Sequence, residues 1–354
     1  MKDLIPDAKI EELRKELYES AKPIFFFDDD PDGLSSFLMF YKAVGDGKGI
    51  PIKSAPELDI NFTSKVTEFS PDKVFILDKA VVTQEFVDSL RGTPCFWLDH
   101  HKPIDLKHVK YYNPRSYTPD QHKPTSYWAY RVADKKDHLW IASVGCIGDW
   151  YIPEFLEEFV EKYPDILAKA DYEDPGDVLF DTRLGELVRV FSFLLKGPTK
   201  EVIKCMKIMT RIKEPYEILD QTSSRGTYIW KRYMTIRKLY DDMFKEALSC
   251  ASDDMILLYK YTDRKMSFTA DLSNELLHKF PDKVIIIARE RDGEMRCSLR
   301  SGKYVISKIL AESLKDIDGY GGGHEHACGA GIKVHDFDRF IENMRSELKK
   351  EDNK

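Results

Sequence analysis

The sequence has no long hydrophobic run. Its longest apolar stretches, Pro23–Phe27, Val74–Leu77 and Val284–Ala288, stop far short of the roughly 20 residues that a membrane-spanning helix needs. No membrane partner is therefore expected. The opening residues, MKDLIPDAKIEELRKELYES, have the spacing of an amphipathic helix and lack the apolar core of a secretory signal. Cysteine is sparse: six residues, at 95, 146, 205, 250, 297 and 328, with no CxxC pair. That argues against a disulfide framework or a thiolate zinc site and reads as reduced thiols in a cytoplasmic protein. Positive charge is not in excess either. The formal net charge is -7, so a globally basic nucleic-acid coat is absent, although local basic clusters remain able to hold a short strand. No internal repeat or low-complexity segment is visible.

What is there is an alternation of short apolar segments with helical periodicity. Pro23–Phe27 reads as a buried strand. It runs directly into Asp28, Asp29, Asp30, Pro31, Asp32 and Gly33, after which apolar residues at 34, 37, 38, 41 and 44 predict a helix. The unit recurs. Lys73–Leu77 ends at Asp78, with a helix near Gln84–Leu90, and Pro94–Leu98 ends at Asp99. Tyr127–Ala133 begins another helix, and Trp140–Ile147 runs up to Gly148 and Asp149. Apolar segments that each end on an Asp-bearing turn predict an α/β domain with a mostly parallel sheet over residues 1–150. In such sheets, sites form at the carboxyl ends of the strands.

Residues 151–252 change character, with helical stretches over 154–170, 184–196, 199–211 and 225–251, and are expected to form a helical connector or insertion. Over 253–348, strands at Met255–Lys260, Val284–Arg289 and Met295–Arg300 alternate with helices near 271–279 and 304–315. This is the pattern of a second, smaller α/β domain, followed by a fraying tail from Lys349.

Several places carry chemistry. Asp28, Asp30 and Asp32 alternate beside a glycine, and carboxylates this close repel unless cations neutralise them. Their oxygens suit hard divalent ions; taken alone, the loop reads equally well as a polar turn capping the next helix. A calcium loop fits poorly, because the residues after Gly33 supply no closing Glu. Asp99, His100 and His101 form the sharper signal. One imidazole can ligate a metal while its neighbour reaches a phosphate or a reacting water, with Asp99 orienting a ring; a surface turn is the plainer alternative. Asp78 and Asp149, each a helix cap in isolation, raise the carboxylate count to that of a dinuclear site, whose ions sit roughly 3.5–4 Å apart. In the second half, Gly321, Gly322, Gly323 and His324 offer close backbone approach and N–H groups for phosphate oxygens. His326 reads as structural.

These pieces, in this order, resemble the DHH phosphoesterase superfamily, which includes RecJ-type single-strand exonucleases, nanoRNase-type hydrolases and family II pyrophosphatases. The matching stretches are Asp28–Ser36, Leu77–Asp78, Leu98–His101 and Gly145–Asp149, with Asn113–Pro114 and Thr125–Ser126 between them. Position 28 is Asp, as in the RecJ-like branch, where many members have His. The Gly321–His324 run resembles the GGGH motif of the DHH-associated C-terminal domain, although a Pro common in the family is replaced near His326, and Arg296–Ser301 resembles the family's strand bearing a phosphate-binding Arg, which makes Arg300 the candidate for a bidentate phosphate contact, a surface salt bridge being the plainer reading. The resemblance covers about 1–150 and 254–345.

The resemblance implies two bound Mn²⁺ ions, with Mg²⁺ as the alternative. Asp28 and Asp30 would hold one ion, Asp32, His100 and Asp149 the other, and Asp78 would bridge them. His101 would contact the scissile phosphate and Asp99 would support the His pair. The residues themselves point to the same set without assigning individual ions. A water activated by the metals would attack phosphorus in line, with His101 and Arg300 stabilising charge; the leaving-group proton would come from His101 or a metal-bound water. Single-stranded RNA or DNA, or a short oligonucleotide cleaved from an end, is the leading substrate. Linear or cyclic dinucleotides and phosphoadenosine phosphate follow, then pyrophosphate. A non-catalytic replication scaffold is the different-class alternative, disfavoured because every ligand position is filled. Trp150, Tyr151, Tyr228, Trp230 and Tyr233 are candidates for stacking bases. The basic run Arg225–Lys238 reads either as a strand contact or as the outer face of an amphipathic helix.

Overall fold

The computed structural model describes residues 5–53, 57–262 and 266–352. The chain divides into two compact units, Met1–Tyr233 and Met234–Lys354. Among the described residues no helix is long and apolar enough to cross a membrane. All six cysteines are unpaired, and only Cys250 is exposed.

The first unit is built on a five-stranded sheet in the order Lys48–Ile52, Ile24–Asp28, Val74–Leu77, Cys95–Leu98, Lys110–Tyr112. Every pairing is parallel. Residues 24–27, 74–77 and 95–98 are buried throughout, as a sheet covered on both faces requires. Phe25, Phe75 and Phe96 stack across the three central strands, with centroids 5.5 and 5.1 Å apart. The outer two strands are short and partly polar, and sequence patterning reveals neither. Because the central strands run in register, Phe27 beside Leu77 and Leu77 beside Leu98, the residues just beyond them emerge along one edge. Those residues are Asp28, Asp78 and Asp99.

The helix Pro31–Val44 starts where the acidic loop ends. Asp30 is its N-cap and accepts the Gly33 N–H at 2.8 Å, Pro31 occupies its first turn, and Gly45 closes it at φ +87°. Gly33 has no room for a side chain, since a Cβ there would lie 2.5 Å from the Asp28 carbonyl oxygen.

Trp140–Ile147 is not a strand but the body of a helix, Leu139–Gly148. All residues from Leu139 to Ile147 are buried, so no polar face betrays the helical period, and a uniformly apolar run does not distinguish helix from strand. Asp149 is therefore a helix C-cap rather than a strand end. The helix expected over 154–170 is only Leu156–Lys162, because Pro164 forbids its continuation. Helices Arg183–Leu194, Thr199–Met209 and Ser224–Ser249 follow the periodicity. The N-terminal helix spans Asp7–Tyr18; of the stretch expected to be helical, Met1–Leu4 lie outside the described residues.

The second unit holds a mixed five-stranded sheet, ordered Gly319–Gly323, Ala327–Lys333, Glu294–Arg300, Val284–Arg291, Ile256–Thr262. Its last pair is parallel and the rest antiparallel. Helices Thr269–Lys279, Ile306–Ser313 and Phe337–Asp352 complete it. The expected frayed tail is instead the last turn of that final helix as far as Asp352; residues 353–354 lie outside the described set.

Candidate metal centre

The parallel sheet edge, the start of the helix Pro31–Val44 and the end of the helix Leu139–Gly148 bring the acidic residues to one place. His100 Nε2 lies 3.4 Å from Asp78 Oδ1 and 3.7 Å from Asp149 Oδ2. Ligand atoms of Asp32, His100 and Asp149 all lie within 4.8 Å of one another, as do those of Asp78, His100 and His101. The carboxyl groups of Asp30 and Asp32 both lie against Asp78. Asp32 is fixed at the start of the helix Thr125–Ala133, where its two oxygens accept the backbone N–H groups of Thr125 and Ser126, each at 2.8 Å. The Thr125 hydroxyl donates to Asp78 at 3.1 Å. Asp78 turns the chain off its strand at φ +54°, a left-handed conformation that is uncommon for a non-glycine residue.

His101 is held differently. Asp99 is fully buried and accepts the His101 backbone N–H at 3.0 Å, the Tyr111 hydroxyl at 3.1 Å and the Asn113 amide at 3.3 Å. Its other oxygen meets His101 Nδ1 at 2.8 Å. A carboxylate bonded in this way is an acceptor, so Nδ1 carries the proton and Nε2 is left for a ligand or substrate. Asn113 also donates to the His101 carbonyl at 2.9 Å, and Tyr111 stacks on Trp97 with centroids 4.1 Å apart. The His101 side chain is 41% exposed, so it faces outward from a rigid support. Tyr111 escapes sequence reasoning, and nothing in its local pattern marks it.

Among the described residues no Lys or Arg pairs with Asp30, Asp32, Asp78 or Asp149. Burial first, then the neighbouring Asp28 and Asp32, push Asp30 up to about 7. Burial and repulsion raise Asp78 and Asp149 well above the carboxylate range. Burial raises Asp32 too, against the pull of its bonds from Ser126 and Thr125. Burial, then His101, push His100 down to about 4, which keeps it in the neutral, ligating form. For His101 burial works downward, but the bond to Asp99 and the nearby carboxylates raise it overall. Buried carboxylates beside a neutral imidazole are a donor set that fits a divalent ion such as Mn²⁺ or Mg²⁺. Asp28 stands apart in one respect: the buried Lys79 places its ammonium 2.7 Å from Asp28 Oδ1. Lys79 also escapes sequence reasoning, although its position beside Asp78 is a signal in retrospect.

Residues 255–350 match the DHHA1 domain family. Three solved structures share the fold of nearly the whole chain. One is RecJ from Thermus thermophilus in complex with Mn²⁺, with TM-score 0.71, 14% identity, and coverage of 98% of this chain and 56% of that one. Another is the DHH domain of a member of the S1p family of ribosomal proteins, with TM-score 0.68, 17% identity, and coverage of 98% and 93%. The third is exonuclease RecJ bound to manganese, with TM-score 0.62, 15% identity, and coverage of 98% and 96%. The chain has the DHH fold and carries a DHHA1 domain. It spans 56% of the length of the Thermus protein. No curated protein matches it by sequence.

The DHHA1 domain contains the remaining predicted residues, and the metal-centre residues all belong to the first unit. Gly319–Gly323 is an exposed edge strand paired with Ala327–Lys333. Gly323 sits at φ +145°, and a Cβ there would lie 2.4 Å from the Ala327 carbonyl oxygen, so the turn into His324 requires glycine. His324, Glu325 and His326 form the hairpin turn. His326 Nδ1 lies 2.9 Å from the Ser301 carbonyl and 3.1 Å from that of Tyr304, which ties the turn down. Arg300 commits part of its fork inside the domain: Nε donates to Asn274 at 2.8 Å and Nη1 to the Leu299 carbonyl at 2.9 Å.

Proposed function

We propose that this protein is a divalent-metal-dependent phosphodiesterase that hydrolyses single-stranded nucleic acid or short oligonucleotides from an end. Two Mn²⁺ or Mg²⁺ ions would be held by Asp30, Asp32, Asp78, His100 and Asp149. Asp28 would contribute the oxygen that Lys79 leaves free. The observation that carries the reading is the approach of His100 to both Asp78 and Asp149, beside a His101 clamped by Asp99.

When bound, the ions supply an acidified water and draw charge from the phosphoryl oxygens. Asp78, against which Asp30 and Asp32 lie and which His100 approaches to 3.4 Å, would serve both ions. His101, held by Asp99 through Nδ1 and drawn by Asp99 and the nearby carboxylates toward its protonated form, would present an Nε2–H that donates a hydrogen bond or proton to a phosphoryl or leaving oxygen. Asp99 keeps that ring in its tautomer. Arg300, Gly321, Gly322, Gly323 and His324 of the DHHA1 domain are proposed to grip substrate. A nucleic-acid strand is favoured by Trp150, which directly follows Asp149, is 41% exposed and offers a face for a base. Tyr233, by contrast, is fully buried and stacks no base. Of the three structures described above, two are RecJ and one of these is named an exonuclease.

The test is hydrolysis with Mn²⁺ of end-labelled single-stranded RNA and DNA, linear and cyclic dinucleotides, and pyrophosphate. Asp78→Ala should abolish Mn²⁺-dependent turnover of whichever substrate is cleaved. Normal turnover by that variant would overturn the two-metal reading. Cleavage of dinucleotides alone would replace the strand by a small substrate, and no hydrolysis of any would remove the enzyme.

A further inference from the structure

The helices that bear the candidate metal ligands have a second end, away from those ligands. Pro31–Val44 starts at Asp30 and Asp32, whereas Leu139–Gly148 finishes at Asp149. A cavity of about 1130 Å³ lies at their opposite ends, lined by Tyr41, Lys42 and Gly45 of the first helix and by His138 and Ile141 at the start of the second. A fourteen-residue helix is about 20 Å long, so this cavity is well removed from the metal ligands.

Its wall is strongly cationic in a chain of net charge -7. Lys42, Lys162, Arg211, Lys213 and Arg225 line it, against two carboxylates, Asp137 and Glu214. These cations are poorly compensated. Lys162 is 4.0 Å from Asp137. Arg225 gives a bond of 3.3 Å to the Arg211 carbonyl and is attracted by Glu217, whose two oxygens already accept the Lys213 backbone N–H and the Ser223 hydroxyl. Among the described residues the Arg211 and Lys213 side chains meet no acidic partner. Lys42 Nζ bonds two carbonyls, of Thr210 at 3.1 Å and Ile212 at 2.6 Å, which leaves one hydrogen to give. His138 is only 6% exposed, and its Nδ1 has no hydrogen-bond partner. Burial pushes Lys42 down to about 8 against the pull of Glu217, and His138 down to about 4 against that of Asp137; neither carboxylate offsets the loss of water. The start of Leu139–Gly148 adds the positive end of a ten-residue helix.

We propose that this cavity is a second binding site, separate from the metal centre, for a ligand bearing two or more phosphate groups. A single carboxylate would neutralise only part of the excess charge, whereas a polyphosphate or a run of phosphodiesters matches several cations at once. The volume is that of a site for a nucleotide-sized molecule. The source is either a free nucleotide or the backbone of a strand.

The full chain is titrated by calorimetry in EDTA, which leaves the metal centre empty, with inorganic tripolyphosphate, ADP and a ten-nucleotide oligo(dT). Binding that weakens roughly tenfold or more in Arg211→Ala/Lys213→Ala, and further in Lys213→Glu, supports the site. Arg211 and Lys213 are exposed side chains, so these variants should keep the wild-type circular dichroism and thermal transition. Asp78→Ala should bind as the wild type does, which separates this site from the metal centre and keeps the outcome independent of the hydrolysis panel. Tighter binding of ADP assigns the cavity to a free nucleotide, and tighter binding of oligo(dT) to a strand. Absence of binding at millimolar probe, or unchanged affinity in the double variant, overturns the proposal.

Discussion

At the residue scale the two histidines of one triplet have opposite environments. His100 is sunk among carboxylates and driven toward the neutral form, whereas His101 is propped by Asp99 and drawn toward the charged one. Asp99→Asn tests this division. An amide places either a donor or a weaker acceptor against Nδ1, so the ring loses its fixed tautomer. We expect kcat to fall roughly 10²-fold or more, with KM and the Mn²⁺-induced shift in Tm nearly unchanged. A variant that instead loses its Mn²⁺ response would make Asp99 part of the ion's own support. Trp150 tests the strand. It sits at φ +58° with its ring packed edge-on against Phe180 at 6.0 Å. Trp150→Ala should raise KM for an oligonucleotide by roughly 5- to 100-fold, the worth of one stacked base, while Trp150→Phe recovers most of it. The Asp-His-His triplet is legible in the sequence because its chemistry lies in consecutive residues. Tyr111 and Lys79 are not, because each gains its role only from a partner that the sheet or a turn brings alongside.

At the scale of elements, legibility follows burial. The central strands announce themselves as short apolar runs because both their faces are covered. Lys48–Ile52 and Lys110–Tyr112 lie at the sheet edges and keep polar residues, so no pattern marks them. Leu139–Gly148 misleads for the opposite reason: it is too completely buried to show a face. Its position depends on small residues. A Cβ at Gly145 would lie 2.5 Å from the Ser126 side chain and 2.8 Å from that of Ser35. Ser126 is also where Asp32 is anchored, and the same helix ends at Asp149. Gly145→Val should therefore push the helix off its neighbours, at about 1–3 kcal/mol of stability for overpacking. It should weaken Mn²⁺ binding as well, because two ligands move together. Thermal unfolding with and without Mn²⁺ reads both effects. If stability falls while the Mn²⁺ affinity is retained, the helix does not position Asp149 as argued.

For the whole molecule, the buried carboxylate cluster is a cost to folding that a bound cation would offset. Asp30 is held up near 7, and Asp32, Asp78 and Asp149 are raised with it, from an unfolded value near 4. Between those values the folded metal-free protein retains protons that the unfolded chain has released. Stability therefore falls as pH rises through that window. The metal-free protein should unfold at a lower temperature at pH 8 than at pH 5.5, by more than general charge effects explain. Asp78→Asn separates the two contributions, since it removes one repelling carboxylate: its Tm should exceed that of the wild type in EDTA at pH 8 and converge with it at lower pH. On the proposed reading Mn²⁺ would replace the lost protons, so its stabilisation of the wild type, about 2.7 kcal/mol at a hundredfold excess over Kd, should grow from pH 5.5 to pH 8 and shrink sharply in the variant. Differential scanning calorimetry at the two pH values, with EDTA and with Mn²⁺, reads all of these terms. A wild type that gains stability relative to Asp78→Asn as pH rises without metal would mean that these carboxylates are not in conflict, and the electrostatic case for a cation in this cluster would fail.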